Sequence, residues 1–231
     1  MCSSDLMQAA VKGLQDRDFD MAVTGGADRS MGVATYTKFC KIGALSPDGS
    51  RPFDAKANGF VMGEGVGILV LKRLADAERD GDRVYAVIRG VGGSSDGKGK
   101  GITAPNPIGQ RRALVRAYEN AGIDPWDVDL FECHGTSTVV GDLVEVEALS
   151  EVIGPGRRGR AARIGSIKSN IGHLKSAAGA ASALKASLAL FHKVLPPSIN
   201  YKNPRKDLPL DRVPLQVQTS LEAWETGGVR R

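Results

Sequence analysis

Two of the three histidines stand where a fold could put them to chemical use. His134 opens His134-Gly-Thr-Ser-Thr138 directly after the apolar run 128–133, and His173 closes Lys168-Ser-Asn-Ile-Gly-His173 after Ile164-Gly-Ser-Ile. Both are turn-rich stretches behind short strand-like runs, and ligands bind at the carboxyl ends of strands in α/β sheets. A lone histidine is more often structural. Two in this setting, with Lys168 five residues before the second, point to neutral imidazoles that donate N–H groups to a developing oxyanion. A nearby ammonium would fix their hydrogen bonding and lower their pKa. His192 differs: it precedes Lys193 and Pro196-Pro197 at a helix end, where it serves the helix dipole.

Such turns need a layered α/β frame, and the chain alternates accordingly. Residues 8–14 read as the end of a helix, and 21–26 as a buried strand. Phe60-Val-Met and Val66-Gly-Ile-Leu-Val-Leu are apolar on both faces, as a sheet covered on both sides requires, and 84–91 repeats that character. Asn106 with Pro107 starts a helix in which Ala113, Ala117 and Ala121 form a small-residue face before Gly122 ends it. Asp142 and Glu145 read as a capping box opening a helix to Ile153. Runs 163–167 and 215–219 complete the strands, with a long Ala-rich helix between them. No linker or short repeat divides the chain.

Composition excludes several classes. Of 231 residues, 42% are hydrophobic and 25% charged, near globular averages. The most apolar stretch, 177–191, is Ala- and Ser-rich, carries Lys185 and is shorter than the ~20 residues of a membrane span. Glycine, at 29 residues, is well above average and aperiodic, which fits close backbone packing. The net charge of +5 is dispersed apart from Arg157-Arg158-Gly159-Arg160 with Arg163, and no aromatic residues interleave with that cluster, so nucleic acid is not indicated. Cys2, Cys40 and Cys133 show no paired spacing; neither a disulfide framework nor a metal site is expected, and a cytoplasmic setting is.

Six segments in order resemble β-ketoacyl synthases of the thiolase superfamily, specifically ketosynthase domains of type I polyketide and polyunsaturated fatty acid synthases. They are Arg51-Pro-Phe-Asp54, Gly59-Phe-Val-Met-Gly-Glu-Gly65, Thr103-Ala-Pro-Asn-Pro107, Glu132-Cys-His-Gly-Thr-Ser-Thr138 with Gly141-Asp142, Gly165-Ser-Ile-Lys-Ser-Asn-Ile-Gly-His-Leu174 with Ala177-Ala-Gly179, and Leu195-Pro-Pro-Ser-Ile-Asn200. The resemblance implies an α-β-α-β-α layered fold, with residues 7–80 ending an N-terminal half and 81–231 supplying most of a C-terminal half. It implies a decarboxylative Claisen condensation between an acyl thioester and malonyl-acyl carrier protein. His134 and His173 would then be the enolate donors, Lys168 the organising lysine, and Thr136 and Thr138 the hydroxyls that hold the carrier's phosphopantetheine. No cofactor would be bound by the chain itself. Expected partners are the acyl carrier protein, a second copy in a homodimer and other domains of the synthase, with no membrane.

The departures concern the nucleophile. Cys2-Ser-Ser-Asp-Leu6 looks like the family's nucleophile turn, but counting back from Ala10-Val-Lys-Gly-Leu14 the thiol belongs about two residues upstream, roughly 200° around a helix. Residues 1–6 are also what the sequencing-adapter end GTG-TGC-TCT-TCC-GAT-CT encodes with GTG as start; a degraded turn is the alternative. Cys133 replaces the usual alanine, and Cys40 lies outside any nucleophile motif. Arg231 falls just before the family's Gly-Phe-Gly-Gly-Thr-Asn loop, so the expectation is a partial domain, inactive alone, with open sheet edges and an exposed apolar face.

Two rivals remain. A non-catalytic partner resembling chain-length factors would lack the cysteine, but has no chemical reason to keep both donors. A serine hydrolase would use Gly93-Ser-Ser-Asp-Gly97, with Ser95, Asp142 and His173 in the α/β-hydrolase order, yet Gly97-Lys-Gly-Lys-Gly101 cannot start the helix that such an elbow requires. Gly63-Glu-Gly-Val-Gly67 reads as buried strand rather than nucleotide loop. A long read across the locus should replace codons 1–6 with an in-register Cys-x-Ser-Ser-Leu start; finding Met1 to Leu6 intact would sink the adapter explanation.

Overall fold

The computed structural model describes all residues except 1–2, 30, 98–100, 102–103, 155–160 and 211–212, with only the backbone of Ser3. Cys2, Thr103 and the arginines at 157, 158 and 160 therefore lie outside the described residues. In chain order the elements are α1 (Ser3–Asp16), β1 (Met21–Asp28), α2 (Val33–Lys41), β2 (Gly65–Lys72), α3 (Leu74–Asp80), α4 (Pro107–Ala121), β3 (Leu130–Glu132), α5 (Val139–Ile153), β4 (Ala162–Gly165), α6 (Lys168–Ile171), α7 (Ala178–His192), β5 (Val194–Leu195), β6 (Leu215–Val217) and β7 (Glu222–Ala223). None of the helices described is long and apolar enough to cross a membrane.

Two sheets carry the architecture. β3, β4 and β6 run parallel, with Phe131 opposite Ile164 and Ile164 opposite Val217. Ile164 is wholly buried, and with Phe131, Val146, Leu149 and Val217 it forms the main core beneath α5. β1 and β2 pair antiparallel over their whole length, from Met21 opposite Lys72 to Asp28 opposite Gly65. α7 packs over this pair so closely that a Cβ on Gly67 would lie 3.0 Å from both Ala180 and Leu184. β5 and β7 make a small third ladder.

Local expectations hold where a side chain acts on its own backbone. Asn106 caps α4 by accepting from the Ile108 N–H at 3.0 Å, and Gly122 ends it in the left-handed region. The small-residue face of α4 is used as its spacing implies: a Cβ at Gly90 or Gly92 would come within 2.6 Å or 2.3 Å of the α4 carbonyls of Ala117 or Ala113.

Expectations that depended on distant partners need correction. Residues 84–91 form no strand, since no ladder partner lies beside them among the described residues; the segment packs on α4 instead, and the Val91 N–H bonds to the Asn120 side chain at 3.0 Å. Residues 60–62 make only isolated bridges, Phe60 to Leu45 and Met62 to His173. Asp142 and Glu145 do not open α5. Thr138 is its cap, accepting from the Gly141 N–H at 3.2 Å, and both carboxylates reach back to the preceding loop.

The β1–β2 pair is not covered on both faces. Met21, Val23, Val66, Ile68 and Val70 are exposed, Val66 to 71%, and alternate along the strands as one face. A groove of about 500 Å³ between this face and α1 is lined by Leu6, Ala10, Phe19, Val23 and Ile68 and contains neither site histidine. An apolar, flat two-stranded face promotes self-association. Replacing the cross-strand pair Val23 and Val70 by threonines should weaken self-association in sedimentation while shifting unfolding free energy by about 0.5 kcal/mol or less, as for surface sites. Unchanged association would place the adhesive surface elsewhere.

Candidate functional site

The parallel sheet delivers His134 and Lys168 from the ends of adjacent strands, two residues after β3 and three after β4. α6 is a single turn, and Gly172, with φ of 74°, reverses the chain after it so that His173 comes back towards His134. The two imidazoles meet edge to face, centroids 5.2 Å apart and planes at 86°. His173 is stitched to the 61–63 segment: its N–H donates to Val61 O at 2.8 Å and its carbonyl accepts from the Gly63 N–H at 3.0 Å. The Phe60 ring lies 4.8 Å from the His173 ring. The motifs singled out around Gly59 and Lys168 are thus one structural unit.

Three carboxylates fasten the turns. Glu145, on the second turn of α5, accepts from the backbone N–H groups of His134 at 2.5 Å and Gly135 at 2.7 Å. Glu132, the last residue of β3, accepts from the Ile167 N–H at 2.6 Å. Its other oxygen forms an ion pair with Lys185 Nζ at 2.7 Å. Asp142 receives the Phe53 N–H at 2.7 Å and the Ser137 N–H at 3.0 Å, joining the Arg51-Pro-Phe-Asp54 segment to the His134 loop. Gly135, with φ of 45°, must be glycine: a Cβ there would sit 2.5 Å from Ser166 Cβ.

Electrostatics follow from this enclosure. Lys168 is 2% exposed, and burial pulls its amine below the ordinary value, opposed by Glu145 and Glu132. His134 is exposed to solvent, yet the protein packed around it, and then the Lys168 charge, bring its imidazole down to about 4. Burial and the same ammonium bring His173 down to about 3. Both rings are therefore neutral at pH 7. His173 Nδ1 accepts from the Lys175 backbone N–H at 2.9 Å, so its proton is on Nε2. Burial also raises Glu145 and Glu132, and takes Asp142 up to about 7 against its two amide donors.

The remaining sequence candidates separate clearly. Thr136 and Thr138 place their hydroxyl oxygens 2.9 Å apart beside the His134 turn. Cys133 is buried, its thiol pushed well up by burial and by neighbouring carboxylates, which fits packing and not nucleophilic attack. Cys40 is exposed on α2. Ser95 is not assembled with Asp142 and His173: its hydroxyl accepts from the Gly97 N–H at 3.2 Å in a loop against α4, and Asp142 is wholly buried with its oxygens engaged elsewhere. Of the stretch read as buried strand, only residues 65–67 are strand, and Val66 within it is exposed. Sequence reasoning missed Glu145 and Lys185 as supports. Helical spacing of Glu145 from Asp142 signalled only a cap, and nothing local marked Lys185 as the partner of Glu132.

Comparison with known proteins agrees with this geometry. Residues 1–77 match the family model for the N-terminal domain of β-ketoacyl synthases and residues 85–202 the model for their C-terminal domain. The chain is 44% identical over 97% of its length to polyketide synthase PksL of Bacillus subtilis, covering 5% of that protein. It is 42% identical over its whole length to a reducing polyketide synthase of Cochliobolus heterostrophus, covering 9% of it. The solved ketosynthase from module 6 of the bacillaene synthase of Bacillus subtilis superposes with a TM-score of 0.93 at 43% identity, over 98% of this chain and 42% of that one. The chain thus spans a small part of its curated relatives and under half of a solved ketosynthase, and its fold is thiolase-like α/β. With both family models matched in order and the histidine–lysine cluster assembled within the second match, the chain belongs to the β-ketoacyl synthase family.

Proposed function

We propose that this chain supplies the carbanion-forming half of a decarboxylative Claisen condensation in polyketide or fatty acid synthesis. The observation that carries the reading is the pair of neutral imidazoles in edge contact beside a buried lysine. In a malonyl thioester the bond to the carboxylate breaks, CO₂ leaves, and the electron pair becomes an enolate whose oxygen needs donors. A neutral imidazole with its proton on Nε2 is such a donor, and His173 is prepared for it. His134, held neutral at its side, is the second. Burial, and after it the Lys168 charge, keep both rings from taking a proton, so neither ring quenches the carbanion. The carbanion then attacks the acyl thioester carbonyl and expels the thiolate that carried the acyl group, with no change of oxidation state.

Thr136 and Thr138 suit the amide-bearing phosphopantetheine arm of an acyl carrier protein. One hydroxyl of the pair donates to the other, and Thr138 Oγ1 accepts from Gly141, which leaves one O–H free to donate. The acyl-accepting thiol is neither Cys133, which is buried with a raised pKa, nor Cys40, which stands exposed on α2. With Cys2 about two residues out of register for the nucleophile turn, the 231-residue chain is proposed to form no condensed product by itself, and to act with a carrier protein, as a homodimer, within a larger synthase.

In a complete ketosynthase domain carrying this segment, His134→Ala or His173→Ala should leave acyl loading intact and slow CO₂ release from malonyl-carrier protein by about 100- to 1000-fold, the scale of one oxyanion donor. Lost loading with unchanged CO₂ release would give the histidines the opposite role. No effect on either step would favour a non-catalytic partner resembling chain-length factors.

A further inference from the structure

One buried carboxylate has no part in the condensation described above. Asp28 ends β1, is 9% exposed, and turns towards the stretch that follows His173. Its Oδ2 accepts from the Ser176 hydroxyl at 2.6 Å and from the Ser176 N–H at 3.2 Å, while Lys175 Nζ lies 3.1 Å from Oδ1. The same ammonium donates to Gly63 O at 2.9 Å, and both side chains of the ion pair are almost enclosed, 12% and 6% exposed. Three segments distant in sequence are thereby clamped at one point: the end of β1, the glycine turn before β2 and the turn after His173.

The backbone of Lys175 shows what the clamp holds. Its φ is 49°, the left-handed region that a residue with a side chain occupies only when its surroundings impose it. In that conformation its N–H points back at His173 Nδ1, 2.9 Å away. A nitrogen accepting a hydrogen bond cannot carry the proton, so the amide selects the Nε2–H tautomer and sets the plane of the ring. Hydrogen bonds from Ser176 and the Lys175 charge prevail over burial and bring Asp28 down to about 2, so Asp28 stays ionised through the neutral range.

We propose that Asp28 is a positioning residue for His173: by gripping Lys175 and Ser176 it keeps the Lys175 amide on Nδ1 and so fixes the donor proton at Nε2. The inference rests on the reading of His173 as an N–H donor and adds the residue that makes it one. Its hydrogen bonds and ion pair go to Ser176 and Lys175, the two neighbours through which it acts. A purely structural ion pair would alter stability and leave the tautomer alone.

The test is long-range ¹⁵N–¹H NMR of the imidazoles in the full 231-residue chain at neutral pH, comparing the parent with Asp28→Ala, Asp28→Asn and Lys175→Met. In the parent, His173 should show an unprotonated Nδ1 and a protonated Nε2. In Asp28→Ala its Nδ1 resonance should shift towards the N–H position as a second tautomer appears, with matching loss of the Nε2–H signal. Lys175→Met, which keeps the Ser176 bonds, should show a smaller shift in the same direction. Should Asp28→Ala not fold, Asp28→Asn and Lys175→Met decide the matter by the same shift. Folded variants that retain the parent tautomer, even with a lowered melting temperature, would overturn the proposal while leaving His173 a donor. A parent protein with the proton on Nδ1 would overturn the donor reading itself.

Discussion

Lys168 is an ammonium almost wholly removed from water, and such a charge is costly by several kcal/mol unless opposite charges replace the lost hydration. Glu145 and Glu132 provide them, and each is also a backbone acceptor, Glu145 for the His134 turn and Glu132 for the turn into α6. The groups that make a buried lysine tolerable are therefore those that fix where the histidines stand. Removing either carboxylate would at once take away part of that opposing charge and release the turn it holds. Charge balance and geometry are one constraint here.

Close approach is the second requirement, and it explains the order of the motifs. Strands β3 and β4 must lie side by side for the turns that follow them to touch, and at Gly135 there is no room for a side chain against Ser166. Ser137, with φ of 62°, turns the loop so that its hydroxyl accepts from the Arg51 N–H at 2.8 Å and its carbonyl from the Gly59 N–H at 2.7 Å. Ser198, in the Leu195-to-Asn200 segment, accepts from the Ser166 N–H at 2.8 Å. Segments that look independent along the chain are mutual hydrogen-bond partners around one small volume.

Much of this was legible in the sequence, for reasons that particular residues make plain. Helix α4 could be bounded because Asn106, Pro107 and Gly122 act on adjacent backbone. His134 and Lys168 were recognisable because strand-end turns place them two and three residues after β3 and β4, and His173 because it closes the turn that Lys168 opens. What failed depended on distant chain. The run 84–91 has the pattern of a strand but no neighbour among the described residues to pair with, and β1–β2 has the composition of a two-sided core while one face is exposed. Asp142 and Glu145 have the spacing of a cap, yet their partners are the amides of Phe53, Ser137, His134 and Gly135, which no helical rule could name. Asp28 lies 147 residues from Lys175, and no local signal joins them.

The central claim is that two imidazoles are kept uncharged beside a charged lysine so that both remain hydrogen-bond donors. A pH titration followed by the ¹⁵N resonances of His134 and His173 tests it directly. Because burial and Lys168 depress both values, to about 4 and about 3, both rings should stay neutral from pH 8 down to about 5 and take up protons only below that. Protonation of either ring near 6.5, the value of an unperturbed histidine, would contradict the account.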